Sequence, residues 1–345
     1  MEKEKKQTTI SELGEFGLID RLTQGIIIKN KSTFQGVGDD AAVMNYAENC
    51  VVFSTDLLTE GIHFNLMYVP LKHLGYKAVA VNLSDIYSMN ARPRQIAVSL
   101  AVSSKFTVEA LEELYSGIYL ACNTYGVDLI GGDTTSSLTG MTINISVLGE
   151  APREKLVYRS GAKPGDLLCV TGDLGGAYMG LQLLERENEV FKVNNKIQPQ
   201  LEGYDYILAR QLKPEARADM VEAFEKINLK PTAMIDISDG LSSEIMHLCK
   251  KSNVGCQLNE ESIPIDNQTR KMADELNINP LVAALHGGED YELLFTIAPE
   301  DQNKIKNDPD FTVIGKMTDP RQGANLITSG GSEIPLQAQG WNHMK

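Results

Sequence analysis

RQIAVSLAVSSKFTVEALEELYSGIYLACNTYG, residues 94–126, holds the transition that decides the fold. Its first ten residues, RQIAVSLAVS, read as a strand. From Thr107 the pattern changes: Leu111, Leu114, Tyr115, Ile118 and Cys122 recur at i, i+3, i+4, i+7 and i+11, with Thr107 placed as an N-cap and Gly126 at the C-terminal end, which predicts an amphipathic helix. Working outward, CVVFSTDLL (50–58) is a β-branched and apolar strand run, LGYKAVAVNLSDIYSM (74–89) recurs at helical spacing, and MTINISVLGE (141–150) alternates as a strand. Interleaved strands and helices of this kind predict an α+β domain, its sheet covered on one side by helices.

A second unit follows. Charges, two prolines and two glycines in APREKLVYRSGAKPGD interrupt the periodic segments near residue 151, dividing the chain into 1–150 and 151–345. Beyond that point come strands DLLCVTGD, AMIDIS, YELLFTIA and FTVIGKM and helices GGAYMGLQLLERE, GLSSEIMHLCKKS and PEDQNKIKN, while the polar stretch 185–204 reads as a loop or lid. The 345 residues and 42% apolar content suffice for two cores.

Composition excludes several function classes. A formal charge of −14 leaves no clustered Lys and Arg for a phosphate backbone, so nucleic acid is not an expected partner. MEKEKKQTTI at the N-terminus has no apolar run behind it, and nothing approaches the roughly 18 apolar residues of a membrane helix, so a soluble, cytoplasmic protein is expected. The five cysteines, Cys50, Cys122, Cys169, Cys249 and Cys256, form no C-x-x-C pair and predict free, mostly buried thiols rather than a zinc site.

The acids carry the chemistry. Asp39 and Asp40 follow the glycines of FQGVGDDAAVMNY; Asp56 follows VVFST, Asp133 follows DLIGG, Asp236 and Asp239 lie in AMIDISDG, and Glu289 and Asp290 follow LHGG. Most are expected at strand ends, beside Gly, Ser or Thr. Any one of them is ordinary turn chemistry. Several converging on one cleft would repel one another without cations, and hard oxygen donors suit Mg²⁺, which commonly bridges substrate phosphates. Asp85 differs in lying inside a predicted helix, one turn after Asn82, where a buried carboxylate needs a partner that a metal would supply. Neither a P-loop nor a G-x-G-x-x-G is present, and no G-x-S-x-G elbow supports serine chemistry.

GVGDDAAV, STDLLTEGIHF, YKAVAVNLSDIYSM, DLIGGDTTSS, YRSGAKPGD, DISDGLSSE and GGEDYELLF, taken together and in this order, resemble the ATP-dependent thiamine-monophosphate kinases. That family is a branch of the superfamily of aminoimidazole ribonucleotide synthetase, selenophosphate synthetase and hydrogenase-maturation proteins. The resemblance implies an N-terminal ATP- and metal-binding domain whose sheet pairs with its twin across a two-fold homodimer, VVFST and AVSLAVS taking part, and a C-terminal α+β domain that completes the cleft. It implies ATP and thiamine monophosphate as substrates and several magnesium ions as cofactors. By motif position, Asp40, Ser54, Thr55, Asp56, Asp85, Asp133, Asp236 and Asp239 resemble metal ligands, with Asp39 in support of Asp40. Tyr125, Gly132, Asp133, Arg159 and Ser238 resemble nucleotide contacts, and His63, Glu289 and Trp341 contacts to thiamine phosphate. His63 also reads as a core histidine, and Trp341 as a packing anchor.

Direct in-line transfer without a phosphoenzyme follows from the chemistry, since an ionised phosphate acceptor needs no general base. One departure stands out: Asn90, in YSMNARP, occupies a position where the family has glycine, which predicts a left-handed asparagine. Another ATP-using superfamily member, such as an aminoimidazole ribonucleotide synthetase, and a non-catalytic nucleotide or cation sensor are the competing readings. GIHF and GGEDYELLF favour the thiamine branch.

Overall fold

The computed structural model describes residues 33–35, 38–46, 49–306 and 308–337. Its first half contains β1 (Thr33–Gln35), β2 (Ala42–Tyr46), β3 (Asn49–Thr59), α1 (Leu71–Ser88), β4 (Arg92–Ser103), α2 (Val108–Tyr125), β5 (Asp128–Ser137) and β6 (Met141–Pro152). These strands form one sheet in the order β1-β2-β3-β6-β4-β5. Neighbours are antiparallel except β4 and β5, which run parallel because α2 carries the chain back across the sheet. Thr107 caps α2 by accepting from the Ala110 amide at 3.2 Å, and Gly126 ends it at φ 66°.

Helix α1 is buried on nearly every side, with one flank against α2 and the sheet and the other against the second half of the chain. That environment explains its almost unbroken apolar run. The two helices touch through glycine: a Cβ on Gly75 would lie 2.0 Å from the Leu114 carbonyl oxygen, and one on Gly117 1.9 Å from that of Lys72. Asn90, just beyond α1, has φ 54°, as expected where the resembled family has glycine, and its side-chain Nδ2 donates to the Lys155 carbonyl at 2.8 Å.

After Pro152 the chain leaves this sheet. The second half contains β7 (Leu167–Thr171), α3 (Gly176–Val193), α4 (Asp205–Leu212), α5 (Ala218–Lys226), β8 (Ala233–Asp236), α6 (Leu241–Ser252), β9 (Gly255–Asn259), α7 (Asn267–Glu275), α8 (Pro280–His286), β10 (Leu293–Ile297), α9 (Gln302–Ile305), β11 (Phe311–Thr318), β12 (Ala324–Ile327) and β13 (Glu333–Pro335). Its sheet runs β13-β12-β9-β11-β7-β10-β8. On one face Leu168, Val170, Ile235 and Leu294 pack with Ile245 of α6, and on the other Phe295 and Phe311 form an aromatic trio with Phe224 of α5. The fold class is thus α+β with helices on two mixed sheets.

Three expectations change. The stretch 185–204 is not one loop: α3 runs on to Val193, because Leu183, Leu184 and Glu187 are buried while its polar residues face outward. Glu187 then ties down the following segment by accepting from the Gln200 amide at 2.8 Å. Asp56 and Asp133 lie within β3 and β5 rather than at strand ends, since the ladder continues through the Ser, Thr and Gly residues around them. VVFST and AVSLAVS belong to β3 and β4, each of which already has a neighbour on both sides, so neither offers a free edge. The long exposed edge is β5. The cysteines are free, with Cys249 half-buried and the other four buried, and among the described residues no helix is long and apolar enough to cross a membrane.

Candidate active site

A cleft of about 720 Å³ opens between the two halves. Helix α1 supplies its floor, because Lys77, Val81 and Asp85 fall four residues apart on one face. At one end the carboxylates of Asp40, Asp85 and Asp236 bring oxygen atoms within 4.8 Å of one another. The three come from a turn before β2, from α1 and from the end of β8, so only the folded chain assembles them. Asp56 lines the same end, on the face of β3 that meets α1, and the Asn82 side chain accepts from its amide at 2.9 Å.

The hydroxyl neighbours are also in place. Ser54 donates to Asp85, and Ser84 donates to Asp236 at 2.6 Å. Thr55 sits one residue out of phase, so its hydroxyl turns to the opposite face, donating to the Ile145 carbonyl at 3.1 Å and accepting from Asn144 at 2.9 Å. The Arg159 guanidinium forks onto Asp40 at 2.8 and 2.7 Å, while its own amide donates to Asp39 at 2.7 Å.

Electrostatics at this end are unfavourable in the protein alone. Burial, then the charges of Asp56, Asp236 and Asp40, push the Asp85 carboxyl well above the usual range. Burial and Asp40 do the same to Asp236, and Asp56 rises to about 6 from the same two causes. Burial works against the Arg159 charge, but the attraction of Asp40, Asp236 and Asp39 outweighs it and holds the proton more tightly than usual. Four acids, Asp40 and Asp236 buried and Asp56 and Asp85 half-buried, against one guanidinium leave the cluster short of positive charge. The donor set is all oxygen, and its acids carry the cost of crowded like charges, so these residues fit Mg²⁺.

Further along the cleft, Ser238 and Asp239 lie on the turn after β8, and Glu244 steadies that turn by accepting from the Asp239 amide at 3.1 Å. The GGEDY turn clasps it: the Glu289 amide donates to the Ser238 carbonyl at 2.7 Å, and Gly288 at φ 70° leaves no room for a Cβ, which would lie 2.5 Å from the same oxygen. The far end is formed by His63, Phe64, Tyr68, Leu181, Glu185 and Glu289. His63 accepts from the Thr59 amide at 3.0 Å through Nδ1.

Other motif residues stand apart. Gly132 and Asp133 lie on the exposed edge strand β5, in a separate hollow shared with Val98 and Tyr115. Tyr125 does not line the cleft or this hollow; its hydroxyl accepts from the Ala216 amide at 2.9 Å and meets the Tyr76 hydroxyl at 3.4 Å. Asp290 is buried beneath the cleft wall and accepts from the Gly175 amide at 2.8 Å. Trp341 lies outside the described residues. Sequence reading passed over Tyr115, Lys77, Gln211 and Glu244. The signal for Lys77 was present, as the one charge between Tyr76 and Leu83 in an apolar helix.

Comparison with known proteins places the chain among characterised relatives. The AIR synthase related protein N-terminal domain matches residues 38–151, and the C-terminal domain of the same family matches 163–326. The thiamine-monophosphate kinase of Aquifex aeolicus is 34% identical over 335 residues, spanning 97% of this chain and 99% of its own. That of Bacillus subtilis is 33% identical over 339 residues, spanning 96% of this chain and 100% of its own. Among solved structures, AaThiL complexed with AMPPCP and TMP is 31% identical, with a TM-score of 0.84 over 98% of this chain and 100% of its own. From these matches, the chain belongs to the AIR synthase related family, in its thiamine-monophosphate kinase branch.

Proposed function

We propose that this protein transfers a phosphoryl group from ATP to thiamine monophosphate, giving thiamine diphosphate, in the cytoplasm. The convergence of Asp40, Asp85 and Asp236 within 4.8 Å, from three separate elements, is the observation that carries the proposal. Asp40, Asp56, Asp85 and Asp236 would hold magnesium, with Ser54 beside them and Asp239 serving a further ion, while the Thr55 hydroxyl faces away from this cluster. Bound magnesium supplies charge neutralisation for the donor and acceptor phosphates.

The remaining work belongs to this chain's own groups. Arg159 and Ser238 border the cluster, where a guanidinium and a hydroxyl orient phosphate oxygens. His63 and Glu289 form the far end and hold the organic part of the acceptor, with Trp341 assigned to the same task. The acceptor phosphate is ionised at neutral pH, so the site needs no proton-abstracting residue, and the aligned approach of two bound phosphates supplies most of the acceleration.

Gly132 and Asp133 lie away from the cleft of their own chain. Their role in nucleotide and metal binding therefore calls for a homodimer in which a second copy covers β5, an edge strand too long and exposed to stand alone. For the tyrosine that meets the nucleotide we favour Tyr115, which shares the hollow with them, over Tyr125. The division near residue 151 runs through the site: the first part supplies Asp40, Asp56 and Asp85, and the second completes the cleft with Arg159, Asp236, Ser238 and Asp239.

Formation of thiamine diphosphate from thiamine monophosphate, ATP and Mg²⁺ by the purified protein tests the proposal. Binding of both substrates without product would instead support a sensor.

A further inference from the structure

Glu289 is built into the cleft with unusual care. Its backbone sits in the left-handed region at φ 57°, two residues before Tyr291 at φ 53°. Non-glycine residues are held there only when their surroundings demand it. Its side chain is then fixed from both halves of the chain. Lys77, reaching from α1 with its side chain only 4% exposed, donates to Glu289 Oε2 at 3.0 Å and to the Gln211 carbonyl at 3.1 Å. Gln211, at the end of α4, donates through Nε2 to the same Oε2 at 3.0 Å. Both donors end on one oxygen, and Oε1 takes neither. A simple strap between the two halves would gain more from a donor on each oxygen.

We propose that Lys77 and Gln211 are positioning residues that pin Glu289 Oε2, so that Oε1 is presented to the cleft as the acceptor for an N–H of the substrate's aminopyrimidine ring. This rests on the function proposed above. The setting suits such a ligand: Tyr68 and Phe64 offer flat apolar walls, and Glu185 adds a second carboxylate for a cationic heterocycle. Lys77 acts through Glu289 and does not touch the ligand. Its burial also makes the arrangement obligatory, because an unpaired ammonium there would be costly.

The test is a double-mutant cycle on ligand binding. Dissociation constants for thiamine monophosphate are measured calorimetrically, with Mg²⁺ and a non-hydrolysable ATP analogue, for the wild type, Lys77→Met, Glu289→Gln and the double variant. Lys77→Met and Glu289→Gln should each weaken binding about ten- to a hundredfold, as expected for a charge-assisted hydrogen bond. The double variant should be no weaker than Glu289→Gln alone, and affinity for the ATP analogue should stay within about twofold. Gln211→Leu, which keeps the buried ion pair, provides a second route if Lys77→Met does not fold, and should weaken binding about threefold or more.

The proposal is overturned if the wild type binds thiamine monophosphate while Lys77→Met or Gln211→Leu binds it equally well. Losses that multiply in the double variant would also overturn it. A wild type that binds no thiamine monophosphate would overturn the functional reading itself, and this assignment with it.

Discussion

Replacing Asp85 with asparagine should make the protein more stable and inactive at once. Asparagine keeps the size of the side chain and the oxygen that accepts from Ser54, so packing and that hydrogen bond survive. It removes one negative charge from a group whose oxygens lie within 4.8 Å of one another. Two unit charges at such a separation repel by about 3 kcal/mol at an effective dielectric constant of 20. Proton uptake relieves part of that in the wild type, because the Asp85 carboxyl is pushed well above its usual range.

The sign with pH follows. A carboxyl whose folded pKa is raised binds its proton more tightly when folded, so its contribution to stability is full at low pH and is lost as pH rises through the folded value. Wild type and variant should therefore unfold alike near pH 4 to 5 and diverge toward pH 8. There the variant gains about 1–3 kcal/mol, or about 2–6 °C in Tm. Thermal unfolding in EDTA at both pH values, with thiamine diphosphate formation measured in parallel, reads both effects. A variant destabilised at pH 8, or one that retains wild-type turnover, would refute the reasoning.

Magnesium should raise the Tm of the wild type more at pH 8 than at pH 5, since below about pH 6 protons already compensate Asp56 and its neighbours; an equal or larger shift at pH 5 in a calorimetric scan would contradict the site. Arg159→Ala should raise KM for ATP about tenfold while tightening magnesium binding in the absence of nucleotide, because it releases the Asp40 carboxylate from its fork. Titration calorimetry with MgCl₂ alone distinguishes this from a general loss of the site. Gly117→Ala should cost about 2 kcal/mol or more in chemical denaturation, since the added carbon meets the Lys72 carbonyl across the α1–α2 contact. A neutral result would mean that the helices separate without penalty.

The sequence by itself determined the local elements. Residues 94–126 declare a strand, a capped helix and its glycine stop, because periodicity, N-caps and left-handed C-caps act over a few neighbouring residues. Asn90 was legible through the family resemblance instead, because it stands where the family has glycine and an asparagine tolerates the left-handed φ. The acids of the cleft were legible as a set through their motifs. Their positions on the strands were not, because where a ladder ends depends on the partner strand, and β6 carries β3 straight past Asp56.

Only the tertiary structure decided which of those acids meet. Asp40, Asp85 and Asp236 are separated by long stretches of chain and converge because α1 is clamped between the two halves. Asp133, equally acidic and part of the same set of motifs, stays on the exposed edge of the first sheet. The tertiary structure also decided the Lys77 and Gln211 grip on Glu289, which joins residues from both halves of the chain. Desolvation and charge repulsion arise only when groups share a buried volume, and no spacing along a single strand of sequence encodes that volume.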